Sequence, residues 1–206
     1  MVNLKKEVIK LIFMEALKLS DKYTVYKDKY NGEYTIEDFL KLVKFNHENT
    51  THTNNNSVWI EIESPIFDSI NNQVKKNIEK ISGNKFKDWA KHHWVYTQRK
   101  GFNLEWMHQH IYVHPSGRTK IESDYTFTFY LQTTDEINGD EGKIVFETED
   151  KVQHKFLPKV GDIFIFDGDI RHTAIPTPNS NKERIVYAGS YCMDIFNQKN
   201  YGKNII

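Results

Sequence analysis

"PKVGDIFIFDGDIRHTAIP", residues 158–176, holds a turn at Gly161, an apolar strand from Ile163 to Phe166, and then His172 where the chain leaves the sheet. Segments of the same style lie on both sides. From about residue 92 the hydrophobic pattern has period two, in "HWVYTQRK" (93–100), "LEWMHQHIYV" (104–113), "DYTFTFYLQ" (124–132), "KIVFETE" (143–149), "KVQHKFL" (151–157), "DIFIFDG" (162–168) and "RIVYAGSYC" (184–192). Turn material such as "NGDEG", "PKVG" and "PTPNSN" separates them. Strands in this number and spacing predict an antiparallel sandwich or jelly roll.

The first 90 or so residues read as mostly helical. Residues 4–19 carry Leu4, Val8, Leu11, Ile12 and Leu19 at helical spacing, and "TIEDFLKLVKF" (35–45) opens with a Thr35 cap followed by Ile36, Phe39, Leu40 and Val43. In "SPIFDSINNQVKKNIEKISG" (64–83), Ser64 caps, Pro65 suits the first turn, Phe67, Ile70, Val74, Ile78 and Ile81 form the stripe, and Gly83 ends it. The polar stretch 46–57, "NHENTTHTNNNS", reads as a surface loop. The organisation expected is α+β: one domain over 1–206, with a mainly helical annex at 1–91 packed on a β core at 92–206.

Composition narrows the function classes. Among 206 residues, 28 Lys and Arg balance 28 Asp and Glu, so no general electrostatic footprint for nucleic acid or anionic membrane exists. The one cysteine, Cys192, excludes an internal disulfide framework and a cysteine zinc site, and reads as a small core residue. No apolar run approaches the roughly 20 residues that cross a bilayer, and the charged N-terminus lacks a signal-peptide core. A cytoplasmic protein without nucleic-acid or membrane partners is expected.

Nine histidines are present, three of them within "WMHQHIYVHP" (106–115). Side chains two apart on a strand point the same way, so His108 and His110 share a face with chelate geometry. His114 has the same parity but precedes Pro115. His172 and, twelve residues later, Arg184 are expected near one end of two successive, adjacent strands. An arginine entering an apolar strand needs a partner if it faces the interior, and a carboxylate ligand would supply one. On 124–132, Asp124, Thr126, Thr128 and Tyr130 share one face and Tyr125, Phe127, Phe129 and Leu131 the other. The apolar set should pack against helices and the hydroxyl set should line the barrel. Tyr96 and Gln98 are further candidates for the cavity, whereas His47, His52, His92, His93 and His154 read as surface residues. "RTKIESD" (118–124) reads as a charged loop at the cavity mouth.

Over roughly residues 92–195 the sequence resembles the Fe(II)- and 2-oxoglutarate-dependent oxygenases, in particular their prolyl-4-hydroxylase-like branch and related small oxygenases of phages and marine bacteria. "RKGFNLEWMHQH" looks like the early strand, "SDYTFTFYLQ" like the strand lining the co-substrate pocket, "GKIVFE" like the next, and "GDIFIFDGDIRH" with Arg184 like the distal histidine and basic residue. The resemblance implies a double-stranded β-helix, a jelly-roll or cupin-like barrel. It also implies Fe(II) as cofactor, 2-oxoglutarate and molecular oxygen as co-substrates, and a peptide prolyl or small-molecule substrate. His108 then matches the first metal ligand, His172 the distal ligand, and Arg184 the residue that holds the far carboxylate of 2-oxoglutarate, with Thr126 or Tyr130 beside it. Some members place a serine two residues after the arginine; here that position is Val186.

The sequence departs from the family pattern at one ligand. No His-x-Asp or His-x-Glu occurs, and His110 stands where the carboxylate would be. Either His110 ligates, giving a three-histidine face, or Asp124 reaches the metal, or solvent or an anion fills the position; strand geometry favours His110. A carboxylate with two imidazoles leaves a ferrous site one net positive charge, and three imidazoles leave it two, so the dianion should be held well while oxygen activation is less favoured. Two rival readings stand beside the oxygenase. One is a cupin-like three-histidine metalloenzyme that does not use 2-oxoglutarate, and the other a non-catalytic β-sandwich binding module.

Overall fold

The computed structural model describes residues 14–48, 57–60, 62–83, 85, 90–99, 107–113, 120–122, 125–134 and 138–192. Its strands are β1 (Glu15–Lys18), β2 (Thr24–Lys29), β3 (Ser57–Ile60), β4 (Ala90–Gln98), β5 (Ile111–Val113), β6 (Lys120–Glu122), β7 (Tyr125–Gln132), β8 (Ile144–Glu147), β9 (Gln153–Phe156), β10 (Asp162–Asp167), β11 (Arg171–Ala174) and β12 (Arg184–Cys192). Two helices, α1 (Ile36–Glu48) and α2 (Pro65–Ser82), fall where their caps predict. At α1 the Thr35 hydroxyl accepts from the Asp38 N–H and the Asp38 carboxylate accepts from the Thr35 N–H, a reciprocal capping box. At α2 Ser64 accepts from the Ile66 N–H, and Gly83, at φ 72°, closes the last turn in the left-handed conformation.

The strands form a seven-stranded sheet in the order β1-β2-β10-β7-β12-β4-β3, a three-stranded sheet β11-β8-β9, and the pair β5-β6. Every pairing is antiparallel. Both helices cover one face of the large sheet, where Phe39, Phe67 and Ile70 meet Phe127, Phe129 and Tyr187. On the opposite face Tyr130, Phe164, Phe166 and Val186 meet Ile144 and Phe146 of the small sheet. Strand β10 is thus buried on both sides, with Ile163 and Ile165 toward the helices and Phe164 and Phe166 between the sheets. A doubly covered strand reads as a continuous apolar run, which is how "IFIF" reads in the sequence.

Several expectations are corrected. The helix predicted over 4–19 is contradicted at its end, because residues 15–18 form β1, paired with β2, while Leu17 and Leu19 pack toward the inter-sheet core. A short apolar run satisfies either period, and the unpaired edge of β2 decides for the strand. The rest of that segment lies outside the described residues. The annex is not helical throughout: among its described residues β1, β2 and β3 join the large sheet beside α1 and α2. Buried Asp28 of β2 accepts from Gln73 and Asn77 of α2, at 2.8 and 2.6 Å, fastening this part of the sheet to its helix. Ser57, assigned to the loop, begins β3. Of the strand expected over 104–113, the described residues are regular strand at Ile111–Val113 and irregular at 107–110 apart from the bridge at His108.

Candidate metal centre

The turn between β10 and β11 builds the centre. β10 ends at Asp167, and β11 joins the small sheet, with His172 opposite Phe146 of β8. This places His172 and Arg184 on different sheets and corrects the expectation of adjacent strands. They face each other across the space between sheets. His172 is 5% exposed and packs edge-on against Phe166. Its Nδ1 lies 3.1 Å from the Ile170 carbonyl. A carbonyl only accepts, so Nδ1 carries the proton and Nε2 presents its lone pair. Burial, reinforced by the neighbouring His108 and His110, holds the pKa of His172 well below the ordinary histidine value.

His108 sits directly across from His172. The two residues exchange both backbone hydrogen bonds, 3.0 and 2.9 Å, in an isolated bridge. Opposed residues in an antiparallel bridge project to the same side, and the two rings lie 4.3 Å apart. Two residues on, the His110 N–H donates to the Gly168 carbonyl at 3.0 Å. Its ring stacks toward His172 at 5.0 Å and lies 5.3 Å from His108. One nitrogen from each imidazole falls within 4.8 Å of the others. Nitrogens on one face of a first-row ion sit about 3.0–3.4 Å apart, so an ion would draw the widest pair together by up to roughly 1.5 Å. The donor set suits a borderline divalent metal and offers one face of ligands, leaving the opposite positions open.

Behind the histidines lies a cavity of about 100 Å³. Its large-sheet wall is set by β7 and β12: Thr126, Thr128 and Tyr130 from one strand, Arg184, Val186 and Ala188 from the other. Arg184 is 1% exposed, and its Nη1 donates to the Ile175 carbonyl at 3.1 Å. The Thr128 hydroxyl is buried with no hydrogen-bond partner among the described residues. Trp94 and Tyr96 of β4 close the side next to His110. Gln98 is buried beside them and pairs in register with Arg184. Among the described residues that line the cavity none is acidic, so a dication and the guanidinium would leave it strongly positive and suited to a dianion.

The predicted set therefore converges: His108, His110, His172, Arg184, Thr126 and Tyr130 all line one cavity. The opposite face of β7 carries Phe127, Phe129 and Leu131 into the helix-side core, as the alternation predicts. Asp124, the alternative ligand, and His114 lie outside the described residues, as do His52, most of 118–124 and the side chains of His47, His92 and Cys192. His93 is not a surface residue, since it is half-buried with its ring edge-on to Phe127, Tyr187 and Tyr191. Sequence reading passed over Trp94, which shares strand parity with Tyr96, and over Asp169, whose place in the turn of "DGDIRH" was its only signal.

No protein-family model matches the chain, and no curated protein matches its sequence. Solved structures do. A prolyl-4-hydroxylase from Pseudomonas putida superposes with TM-score 0.53 at 13% identity, over 82% of this chain and 92% of that one. The viral collagen prolyl hydroxylase from Paramecium bursaria Chlorella virus-1, in its 2OG complex, gives 0.54 at 15%, over 80% and 94%. A prolyl hydroxylase from Trichoplax adhaerens, bound to a peptide fragment of the hypoxia inducible factor oxygen degradation domain, gives 0.57 at 11%, over 86% and 87%. The chain shares the fold of these proteins over 80–86% of its length.

Proposed function

We propose that the chain is a non-haem Fe(II)- and 2-oxoglutarate-dependent dioxygenase, a single domain built on a double-stranded β-helix, that hydroxylates an organic substrate with molecular oxygen. The observation that carries this reading is the opposition of three imidazoles and one buried arginine across a single cavity, on a fold shared with prolyl hydroxylases. His108, His110 and His172 would hold the ion, and the positions they leave open would take the co-substrate. Bound Fe(II) would supply oxygen activation: molecular oxygen is the oxidant, one of its atoms entering succinate as 2-oxoglutarate loses carbon dioxide and the other entering the hydroxylated substrate. The chain's own residues bind and orient. Arg184 would hold the far carboxylate by charge-assisted hydrogen bonds, with the Thr126 and Tyr130 hydroxyls beside it. The Thr128 hydroxyl is a further donor on the same wall. Val186 and Trp94 would keep water from the reacting end. The peptide-bound neighbour supports a peptide prolyl substrate, and a small molecule is the alternative.

Replacing the usual carboxylate by His110 favours one second reading, a cupin-like three-histidine metalloenzyme in which Arg184 binds substrate directly. Calorimetry separates the two. Metal-loaded protein should bind 2-oxoglutarate, and Arg184→Ala should weaken it about 10- to 100-fold while sparing metal, since a charged hydrogen-bonded pair is worth roughly 1.5–3 kcal/mol. Equal affinity in wild type and variant would favour the cupin-like reading. Substrate-stimulated release of succinate from 2-oxoglutarate would establish turnover under the oxygenase reading and is not expected under the cupin-like one.

A further inference from the structure

Three consecutive carbonyls of the β10–β11 turn each hold part of the histidine cluster. Gly168 accepts from the His110 N–H, Asp169 from the Gln109 side-chain amide, and Ile170 from the His172 ring. Gln109 stands between the two histidines of the early segment, so the turn grips that segment at two successive residues. The turn is itself fastened from outside. The Asp169 carboxylate receives Lys22 Nζ at 2.8 Å and the Tyr23 hydroxyl at 3.3 Å, and Lys22 also reaches the Tyr23 hydroxyl at 2.7 Å. Tyr23 is buried in the inter-sheet core at the mouth of β2, so it is a fixed post.

Such an anchor matters at His110 above the other two. His172 belongs to β11 and its ladder with β8, and His108 exchanges two backbone bonds with His172. Among the described residues the backbone bond that holds His110 ends on the turn, at the Gly168 carbonyl.

We infer that Lys22, Tyr23 and Asp169 form a positioning clamp for His110: they fix the 168–170 turn, and through its carbonyls they fix the third imidazole against the other two. Asp169 is a positioning residue, because it touches no reacting atom. Groups that orient metal ligands commonly change metal affinity by about 10- to 100-fold when removed; this clamp acts through a backbone turn and is partly exposed, so a smaller effect, about three- to tenfold, is expected.

The inference rests on the reading of His110 as a ligand, and a double-mutant cycle with Co(II) as the probe separates the two claims. Co(II) titrations of the full chain, followed by its visible ligand-field bands, are run on wild type, Asp169→Ala, His110→Ala and the double variant. Asp169→Ala should weaken Co(II) by about three- to tenfold and shift the bands, whereas in the His110→Ala background it should change affinity less than about twofold. The charge-reversed pair, Lys22→Asp with Asp169→Lys, should recover most of the wild-type affinity and spectrum, which a loss of fold would not. Wild-type affinity and bands in Asp169→Ala, or a full additional loss in the double variant, would overturn the clamp and leave the ligand assignment standing. A His110→Ala protein with wild-type affinity and bands would instead overturn the three-histidine reading, and the clamp with it.

Discussion

The two sides of the cavity are built differently. The arginine side belongs to the large sheet, where β12 is paired with β4 over nine positions and with β7 on its other edge, and two helices back the whole wall. The histidine side has β11, four residues long, and beyond it His108 and His110, which sit outside any regular strand and are joined to the 168–172 segment by three backbone hydrogen bonds. A side chain on a backed central strand is held by its neighbours whether or not a ligand is present. One on a bridged segment depends on local bonds and on what it coordinates. On the proposed reading the pocket for the dianion is formed in advance by the fold, and the histidine face would draw its last order from the ion.

Removing His172 tests this division most severely. It is the most buried of the three imidazoles and the partner of His108, so His172→Ala should abolish stoichiometric metal uptake in elemental analysis while the far-ultraviolet circular dichroism stays that of the wild type. Unchanged uptake would place the ion elsewhere. The wall should show the reverse. Phe129 is fully buried and packs against Tyr30 and Phe39. Phe129→Ala should cost about 3–5 kcal/mol in urea unfolding. A smaller cost than that of His110→Ala would mean that stability does not reside in the backed sheet.

The same contrast decides what the sequence revealed. Strands β7 and β12 were legible through their period-two pattern, and β8 and β10 as short apolar runs, each beside a turn signal. The alternation of β7 alone told which residues meet the helices and which meet the cavity. The caps Thr35, Ser64 and Gly83 marked both helices for a comparable reason, each satisfying backbone groups locally. β1 was missed because its apolar residues also fit the helical spacing of the segment that precedes it, and β11 because "RHTA" carries no apolar run and is made a strand by its pairing with β8. The three histidines were singled out through His-x-His parity and the order of segments, but the means of bringing them together was not legible. That step is a backbone bridge between residues 108 and 172, which no periodicity encodes.

His110 sharpens the comparison on the histidine side. His110→Ala should weaken metal binding severely. His110→Asp restores a carboxylate at the same place and should retain the ion with at most a modest loss, a shorter side chain being compensated by a small shift of the metal or an intervening water. Parallel metal titrations of the two variants distinguish them. Equal, undiminished binding by both would show that His110 faces the site without ligating.

The smallest effect is the most direct measure of how tightly the histidine side is closed. In the metal-free protein, burial and two neighbouring imidazoles hold His172 neutral, with its pKa well below the ordinary value of 6.5. The unfolded chain, where that histidine titrates normally, therefore binds more protons than the folded one below pH 6.5. Stability is then fully present above that pH and is lost as pH falls toward the depressed folded pKa, by about 1 kcal/mol between pH 6.5 and roughly 5.5 for one such group. Other histidines titrate in the same range, so the quantity to measure is the difference between wild type and His172→Gln in urea unfolding at the two pH values. The variant should show the shallower decline by about that amount. Parallel declines would mean that His172 takes up its proton in the folded protein as readily as in the unfolded one, and that the face built around it opens to water when no metal holds it shut.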